Sequence, residues 1–309
     1  MKFHSLLTSM SSRMRRFLIF IGVSCFLTPL VLLTIFNTEL NIRQIPRSVP
    51  DANITNYRSP IPPLIHQNYF FADGVKRTHY RPSKYQLSWQ TSHFAYSFYS
   101  DAAAITLLKQ HLPEYLPTFL ALPTPILRTD FFKYAVLYVY GGIYSDLDVS
   151  LVHPLPWPEL QEYDAKMIVG IEGDNTLTGL SRGLQFESWT IASVPRHPVL
   201  KCAMNRVRDE TGHFIASWTP ESDIEEIIMD WTGPGIWSDC VTEYIGKDVT
   251  DTLHRLFEPR QIKDILVLPR KSLSSLNGEE IDEQVRGKHY FQGLWKKKNW
   301  FARMLERFN

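Results

Sequence analysis

The segment from Thr124 to Asp148 fixes its own local geometry more tightly than any other part of the chain. Thr124 can cap a helix, and Pro125 suits the first turn because its φ is preset and its missing N–H is not needed there. Ile126 to Tyr140 is rich in large apolar side chains, and Gly141-Gly142 supplies the backbone freedom that ends a helix. Directly afterwards, Ile143-Tyr144-Ser145-Asp146-Leu147-Asp148-Val149 reads as a buried strand emerging into a loop. An apolar helix followed by a tight turn and an apolar strand has to pack helix on sheet.

Other segments extend the pattern. Ile61 to Gln67, Met167 to Ile171 and Ile265 to Leu268 read as strands. Ser100-Asp101 caps a helix through Gln110, and His197 to Asp209 and Ser222 to Met229 read as helices. Gly233-Pro234-Gly235 reads as a tight turn that positions Trp237. This alternation predicts an α/β fold with a largely parallel sheet, whose ligands sit beyond the carboxyl ends of the strands.

Asp146 and Asp148 fall at such an end. Residues two apart on a strand point to one side, so these carboxylates are expected to converge. Alone they would repel, and a divalent cation removes the conflict. Mg²⁺ or Mn²⁺ takes one or two carboxylates and fills its remaining positions with phosphate oxygens and water, the arrangement a diphosphate leaving group needs. A chain of this size contains roughly one Asp-x-Asp by chance, so the position of the pair, more than its presence, gives it weight.

The N-terminus predicts a membrane anchor. Phe17 to Phe36 is a run of twenty residues without a charge, enough to cross a hydrocarbon core of about 30 Å. Lys2, Arg13, Arg15 and Arg16 precede it, which keeps the N-terminus cytosolic. A cleaved signal peptide is the alternative, but no small-x-small cleavage site follows Phe36. The expected order is a cytosolic tail (1–16), a signal-anchor (17–36), a stem (37–60) with a glycosylation sequon at Asn53-Ile54-Thr55, and one catalytic domain (61–309). The 33 Lys and Arg balance 32 Asp and Glu, which gives no electrostatic reason to expect nucleic acid. Cys202 and Cys240 either pair in an oxidising compartment or stay free and buried. The tail from Trp295 to Phe308 is basic with one aromatic face, and is expected to pack on the domain.

The segments Leu127-Arg128-Thr129-Asp130-Phe131-Phe132-Lys133-Tyr134 and Gly141-Gly142-Ile143-Tyr144-Ser145-Asp146-Leu147-Asp148 together resemble glycosyltransferase family 32, the Asp-x-Asp sugar-transferase family. Gly170-Ile171-Glu172-Gly173-Asp174, Gln185-Phe186-Glu187-Ser188-Trp189-Thr190, Trp231 to Trp237 and His289 to Trp295 resemble its fungal initiation-specific α-1,6-mannosyltransferases. The resemblance implies a GT-A fold, a GDP-mannose donor, Mn²⁺ (or Mg²⁺) dependence and transfer with retention of configuration. It further implies an N-linked glycan acceptor, a Golgi membrane location with the catalytic domain luminal, and membership of a Golgi mannosyltransferase complex. Asp146 and Asp148 then hold the metal with His289 as third ligand. Asp130 and Lys133, on one helix face, touch donor hydroxyls and phosphate, and Tyr144 is a substrate-binding residue. Glu172 and Asp174 face the acceptor, and Trp237 and Trp295 stack on guanine or sugar. The family commonly has arginine where Lys133 stands, so a bidentate phosphate fork is missing. Both covalent double displacement and same-face attack remain open.

Three other readings compete. Asp146-Leu147-Asp148-Val149-Ser150 also fits the nucleophile strand of aspartyl-phosphate phosphatases, although no downstream paired acidic motif completes it. A catalytically inactive glycan-binding or assembly subunit would not need Asp130, Asp146 and Asp148 intact. A sphingolipid (inositol phosphoceramide) mannosyltransferase of the same family would be expected to carry more membrane spans.

Overall fold

The structure is a computed structural model and describes residues 57–71, 82–174, 177, 179–219, 222, 224–273 and 280–293. The predicted anchor at 17–36, most of the stem with its sequon, Trp295 and the tail to Phe308 lie outside the described residues. Among the described residues, no helix is long and apolar enough to cross a membrane.

The strands in chain order are β1 (Leu64–Asn68), β2 (Ala95–Tyr99), β3 (Gly142–Ser145), β4 (Val149–Leu151), β5 (Met167–Asp174), β6 (Leu184–Phe186), β7 (Thr190–Ser193), β8 (Arg260–Ile262), β9 (Ile265–Leu268) and β10 (Gly287–His289). The helices are α1 (Lys84–Gln90), α2 (Asp101–His111), α3 (Leu116–Ala121), α4 (Pro125–Tyr140), α5 (Pro158–Glu162), α6 (Pro198–Ser217), α7 (Ile224–Trp231), α8 (Pro234–Ile245), α9 (Lys247–Thr250) and α10 (Arg270–Leu273).

Seven strands form the path β2-β1-β3-β7-β5-β9-β8, with β6 on β5, while β4 and β10 make a separate ribbon. The central sheet is mixed. β1 pairs parallel with β2 and β3, and β5 with β9. β7 runs antiparallel between β3 and β5, as do β6 and β8 on their neighbours. Five of the eight strands (β1, β2, β3, β5 and β9) therefore share one direction, so the sheet is mostly parallel, as expected.

The alternating side chains build two cores. Met167, Val169, Ile171, Ile265 and Val267 face a core shared with α4, α6 and α8. Ile168, Leu266 and Leu268 point the other way, onto Trp89, Trp157 and Trp189. Period-two alternation with both faces covered is what a buried strand requires. Helix α4 has no polar stripe: the run from Asp130 to Leu137 is buried without a break. A helix apolar on every side belongs in the interior, and that places Asp130 and Lys133 there too.

Several expectations hold closely. β9 spans Ile265–Leu268, and Ser100 caps α2 by accepting from the Ala103 N–H. Gly141 and Gly142 have φ of +65° and +94°. A Cβ on Gly141 would lie 2.7 Å from the Pro195 ring, and one on Gly142 2.7 Å from the Leu64 carbonyl.

Others are corrected. Thr124 stands at the N-cap position of α4 but makes no capping bond, and its hydroxyl is buried without a partner. Gly233-Pro234-Gly235 does not turn back on itself. Gly233 is the N-cap of α8 and Pro234 its first residue, a place where proline's missing N–H costs nothing. The two cysteine readings resolve to pairing: Cys202 and Cys240 form a disulfide that clips α6 to α8.

Candidate active site

Strand β3 stops at Ser145, so Asp146 and Asp148 occupy the turn into β4, closed by the Val149 N–H on the Asp146 carbonyl at 3.2 Å. The turn, and not strand alternation, brings the two carboxylates within range of each other's charge. Backbone bonds hold it in place: the Asp146 N–H donates to the Trp189 carbonyl at 2.8 Å, and Gln67 Nε2 donates to the Asp146 carbonyl at 3.2 Å.

Behind the turn stands α4. Asp130 and Lys133 share a helical face, as i and i+3 residues do, and their side chains are 6% and 1% exposed. This is a buried pair and not a surface one. Lys133 Nζ lies 2.8 Å from Asp130 Oδ1 and 3.6 Å from Asp146 Oδ1, tying the helix to the turn. Thr232, at the junction of α7 and α8, donates its hydroxyl to Asp130 Oδ2 at 3.1 Å. The Tyr144 hydroxyl lies 2.8 Å from Asn68 Oδ1 and 2.9 Å from Asp146 Oδ1, and its single proton serves one of them at a time. Burial disfavours the Lys133 ammonium, but the charges of Asp130 and Asp146 outweigh it and hold its pKa above the usual value. Lys133 therefore stays cationic.

In front of the turn, the ribbon supplies His289. The register of β10 on β4 sets His289 opposite Val149, and the Tyr290 N–H donates to the Asp148 carbonyl at 3.0 Å. His289 Nε2 then lies 3.2 Å from Asp148 Oδ1, while the Gln292 N–H donates to Oδ2 at 2.9 Å. The imidazole packs against both Trp189 and Phe291, with ring centroids at 4.5 and 4.0 Å, and its Nδ1 is buried without a partner.

The two aspartates differ electrostatically. Burial pushes the Asp146 carboxyl up to about 6 against the pull of Lys133, and the charges of Asp148 and Asp130 add to the rise. Burial would raise Asp148 as well, but the His289 hydrogen bond and charge and the Gln292 N–H hold it below the usual range. Among the described residues, no three His, Cys, Asp or Glu side chains are already gathered closely enough to hold a metal ion. The donor types do fit a hard divalent ion: two carboxylates on one turn, an imidazole against one of them, and an Asp146 whose charge the surrounding carboxylates oppose.

The remaining predicted residues divide. Glu172 is in the last part of β5 and not beyond it; its Oε2 accepts from Gln185 Nε2 at 2.7 Å, and burial pushes it up to about 7. Asp174 ends β5 and lines a separate cleft of about 400 Å³ with Arg255, Phe257, Arg270 and Lys271. Phe257 is 76% exposed there. Trp237 is corrected: it is fully buried in α8, stacked on Tyr134 at 5.4 Å, and packs the core instead of meeting a ligand. Trp295 lies outside the described residues.

Sequence reasoning passed over Gln67, Asn68, Thr232, Trp189 and Gln292 as site residues. The one local signal was in β1, where an apolar run ends in three buried polar residues, His66-Gln67-Asn68. Buried polar side chains have partners, and two of these three serve the Asp146 turn.

Residues 76–166 match the family model described as "Glycosyltransferase sugar-binding region containing DXD motif", a span that includes Asp130, Lys133, Tyr144, Asp146 and Asp148. The chain is 33% identical over 263 residues to the initiation-specific alpha-1,6-mannosyltransferase of Schizosaccharomyces pombe, covering 78% of this chain and 65% of that protein. It is 36% identical over 200 residues to the putative glycosyltransferase HOC1 of Saccharomyces cerevisiae, covering 58% and 50%. A mannosyl phosphorylinositol ceramide synthase, CSH1 of Saccharomyces cerevisiae, is 29% identical over 175 residues, covering 54% and 40%. The chain thus spans between half and two thirds of the length of the first two relatives. The Asp-x-Asp turn and the lysine–aspartate helix behind it thus lie in the segment that matches the DXD sugar-binding region, and the chain is similar over most of its length to a fungal mannosyltransferase.

Proposed function

We propose that the protein is a retaining, metal-dependent mannosyltransferase of GT-A fold that moves mannose from GDP-mannose to a mannose of an N-linked glycan, forming an α-1,6 linkage. The observation that carries this reading is the Asp146–Asp148 turn, backed by Lys133 and faced by His289. Asp146, Asp148 and His289 would hold Mn²⁺ or Mg²⁺, which when bound neutralises the diphosphate and the charge it gains on leaving. Lys133 adds a fixed cation behind the turn, and Asp130, held by Lys133 and Thr232, is oriented for a sugar hydroxyl. Tyr144 fixes the Asp146 carboxylate so that it need not reorganise when the donor arrives. Glu172 and the cleft beside Asp174 face the acceptor, with the exposed Phe257 ring as a platform for a sugar face. The uncharged run at 17–36 supports a single-pass Golgi anchor with this domain luminal, and the Cys202–Cys240 disulfide suits an oxidising lumen. A place in a Golgi mannosyltransferase complex belongs to the same reading.

A second reading has support of its own. CSH1 is named for a phosphorylinositol ceramide product, and Arg255, Arg270 and Lys271 at the cleft would suit a phosphorylated acceptor. The test is to incubate the full chain in detergent with GDP-mannose and Mn²⁺, offering a high-mannose N-glycan or inositol phosphoceramide, and to determine the product linkage. An α-1,6-linked mannose on the N-glycan is expected. Transfer to the lipid alone would replace the first reading with the second, and transfer that survives chelation would remove the metal from both.

A further inference from the structure

Glu187 stands apart from the hydrogen bonds of the Asp146–Asp148 turn, yet the fold treats it unusually. It lies between β6 and β7 with 0% exposure. Its N–H donates to the Gly170 carbonyl at 3.0 Å, which sets it opposite Gly170 on β5. A Cβ added to Gly170 would sit 2.8 Å from both Cδ and Oε1 of Glu187, so the carboxyl fills the space a side chain at 170 would take. Both carboxyl oxygens are buried without a hydrogen-bond partner. The neighbouring Trp189 indole N–H is committed to the Leu273 carbonyl at 3.0 Å. As packing alone this is a poor choice, since an apolar side chain would fill the volume without an orphaned polar group.

The register slips beside it. Ile171 pairs with Phe186 and Gly173 with Gln185, which leaves Glu172 as the extra residue of a β-bulge. Bulges re-aim side chains and are common beside active sites. Glu172 takes Gln185 Nε2 on its Oε2, and its Oε1 is the oxygen that a second donor would fix. Burial and the charges of Glu172 and Asp146 push the Glu187 carboxyl well up, against the pull of the Trp189 side chain, and so favour its protonated form.

Resting on the glycosyl-transfer reading, we infer that Glu172 faces the point where the acceptor hydroxyl meets the donor's anomeric carbon and that Glu187, wedged over Gly170, is its positioning residue, donating its O–H to Glu172 Oε1. No bond to substrate is made by Glu187. The pair so formed carries one negative charge with a fixed direction. Glycosyl transfer builds positive charge at the anomeric carbon, and a carboxylate already oriented toward it stabilises that charge without reorganising.

The test compares kcat and donor KM for wild type, Glu172→Gln, Glu187→Gln, Glu187→Leu and Gly170→Ala in the full chain, with melting temperatures recorded for each. Glu187→Gln keeps both the shape and an N–H donor and should stay within about threefold of wild-type kcat. Glu187→Leu, and Gly170→Ala, which displaces the carboxyl without removing it, should each lower kcat by roughly 10²-fold with donor KM unchanged. A folded Glu187→Leu protein with wild-type turnover would overturn the inference. So would a Glu187→Gln protein as impaired as Glu172→Gln, or a Gly170→Ala protein with full kcat. No transfer by wild type would remove the functional reading and this inference with it, whereas normal wild-type transfer beside an active Glu187→Leu would remove this inference alone.

Discussion

At the residue scale the site depends on charges that are paired before any ligand arrives. Lys133 is 1% exposed and carries two carboxylates, so removing it strands Asp130 in the interior. Breaking a buried pair from one side costs about 3–5 kcal/mol, and Lys133→Met should lower stability by that order in a denaturant melt. Asp130→Asn should cost less, because Thr232 can still donate to the amide oxygen. A melt in which Lys133→Met matched wild type would contradict the pairing. That Asp130, Lys133 and Asp146 come together was legible in the sequence because they lie within one helix–turn–strand unit. Thr232, Asn68 and Glu187 were not, since what each serves depends on tertiary contacts with segments distant in the chain. Thr232 reaches a carboxylate 102 positions away, and Asn68 a hydroxyl 76 positions away.

At the scale of elements, the α4–β3 junction holds the site in register. His66 of β1 lies 2.8 Å from the Gly141 carbonyl through Nε2 and 3.0 Å from the Tyr99 hydroxyl through Nδ1. A neutral ring serves both, donating to the carbonyl and accepting from the hydroxyl. Burial pushes His66 down to about 4, against the pull of the Gly141 carbonyl. The folded state then binds fewer protons than the unfolded chain between pH 6.5 and about 4. Stability is therefore complete above 6.5 and is lost as pH falls toward 4, by about 3 kcal/mol for this group. A His66→Gln protein should lack that slope in its pH-dependent melts, and an identical slope would show that other groups carry it. The same junction predicts that Gly141→Ala costs more than about 2 kcal/mol, because it combines a positive φ with a clash on Pro195. Helix α4 and strand β9 could be read from sequence because their signals are local. β2, β7 and β10 could not, because their place is set by pairing with distant strands. α8 was misread because Gly-Pro-Gly is a turn signal that also suits the first turn of a helix.

At the scale of the whole molecule, two cores sandwich a mixed sheet, and one covalent link joins the helices over the larger core. The Cys202–Cys240 bond spans a sequence separation of 38, and closing a loop of that size is worth about 4 kcal/mol. Cys202→Ala with Cys240→Ala should lower stability by about that amount, and reduction of the wild type should do the same. The central claim is that Asp146 and Asp148 bind the donor through a divalent ion. It is tested most directly by calorimetric titration of GDP-mannose into the full chain, with Mn²⁺ or with EDTA, for wild type and Asp148→Ala. Wild type should bind with Mn²⁺ and bind at least about tenfold more weakly with EDTA, and Mn²⁺ should have no effect on Asp148→Ala. Equal affinity in all four titrations, with both proteins folded, would contradict it.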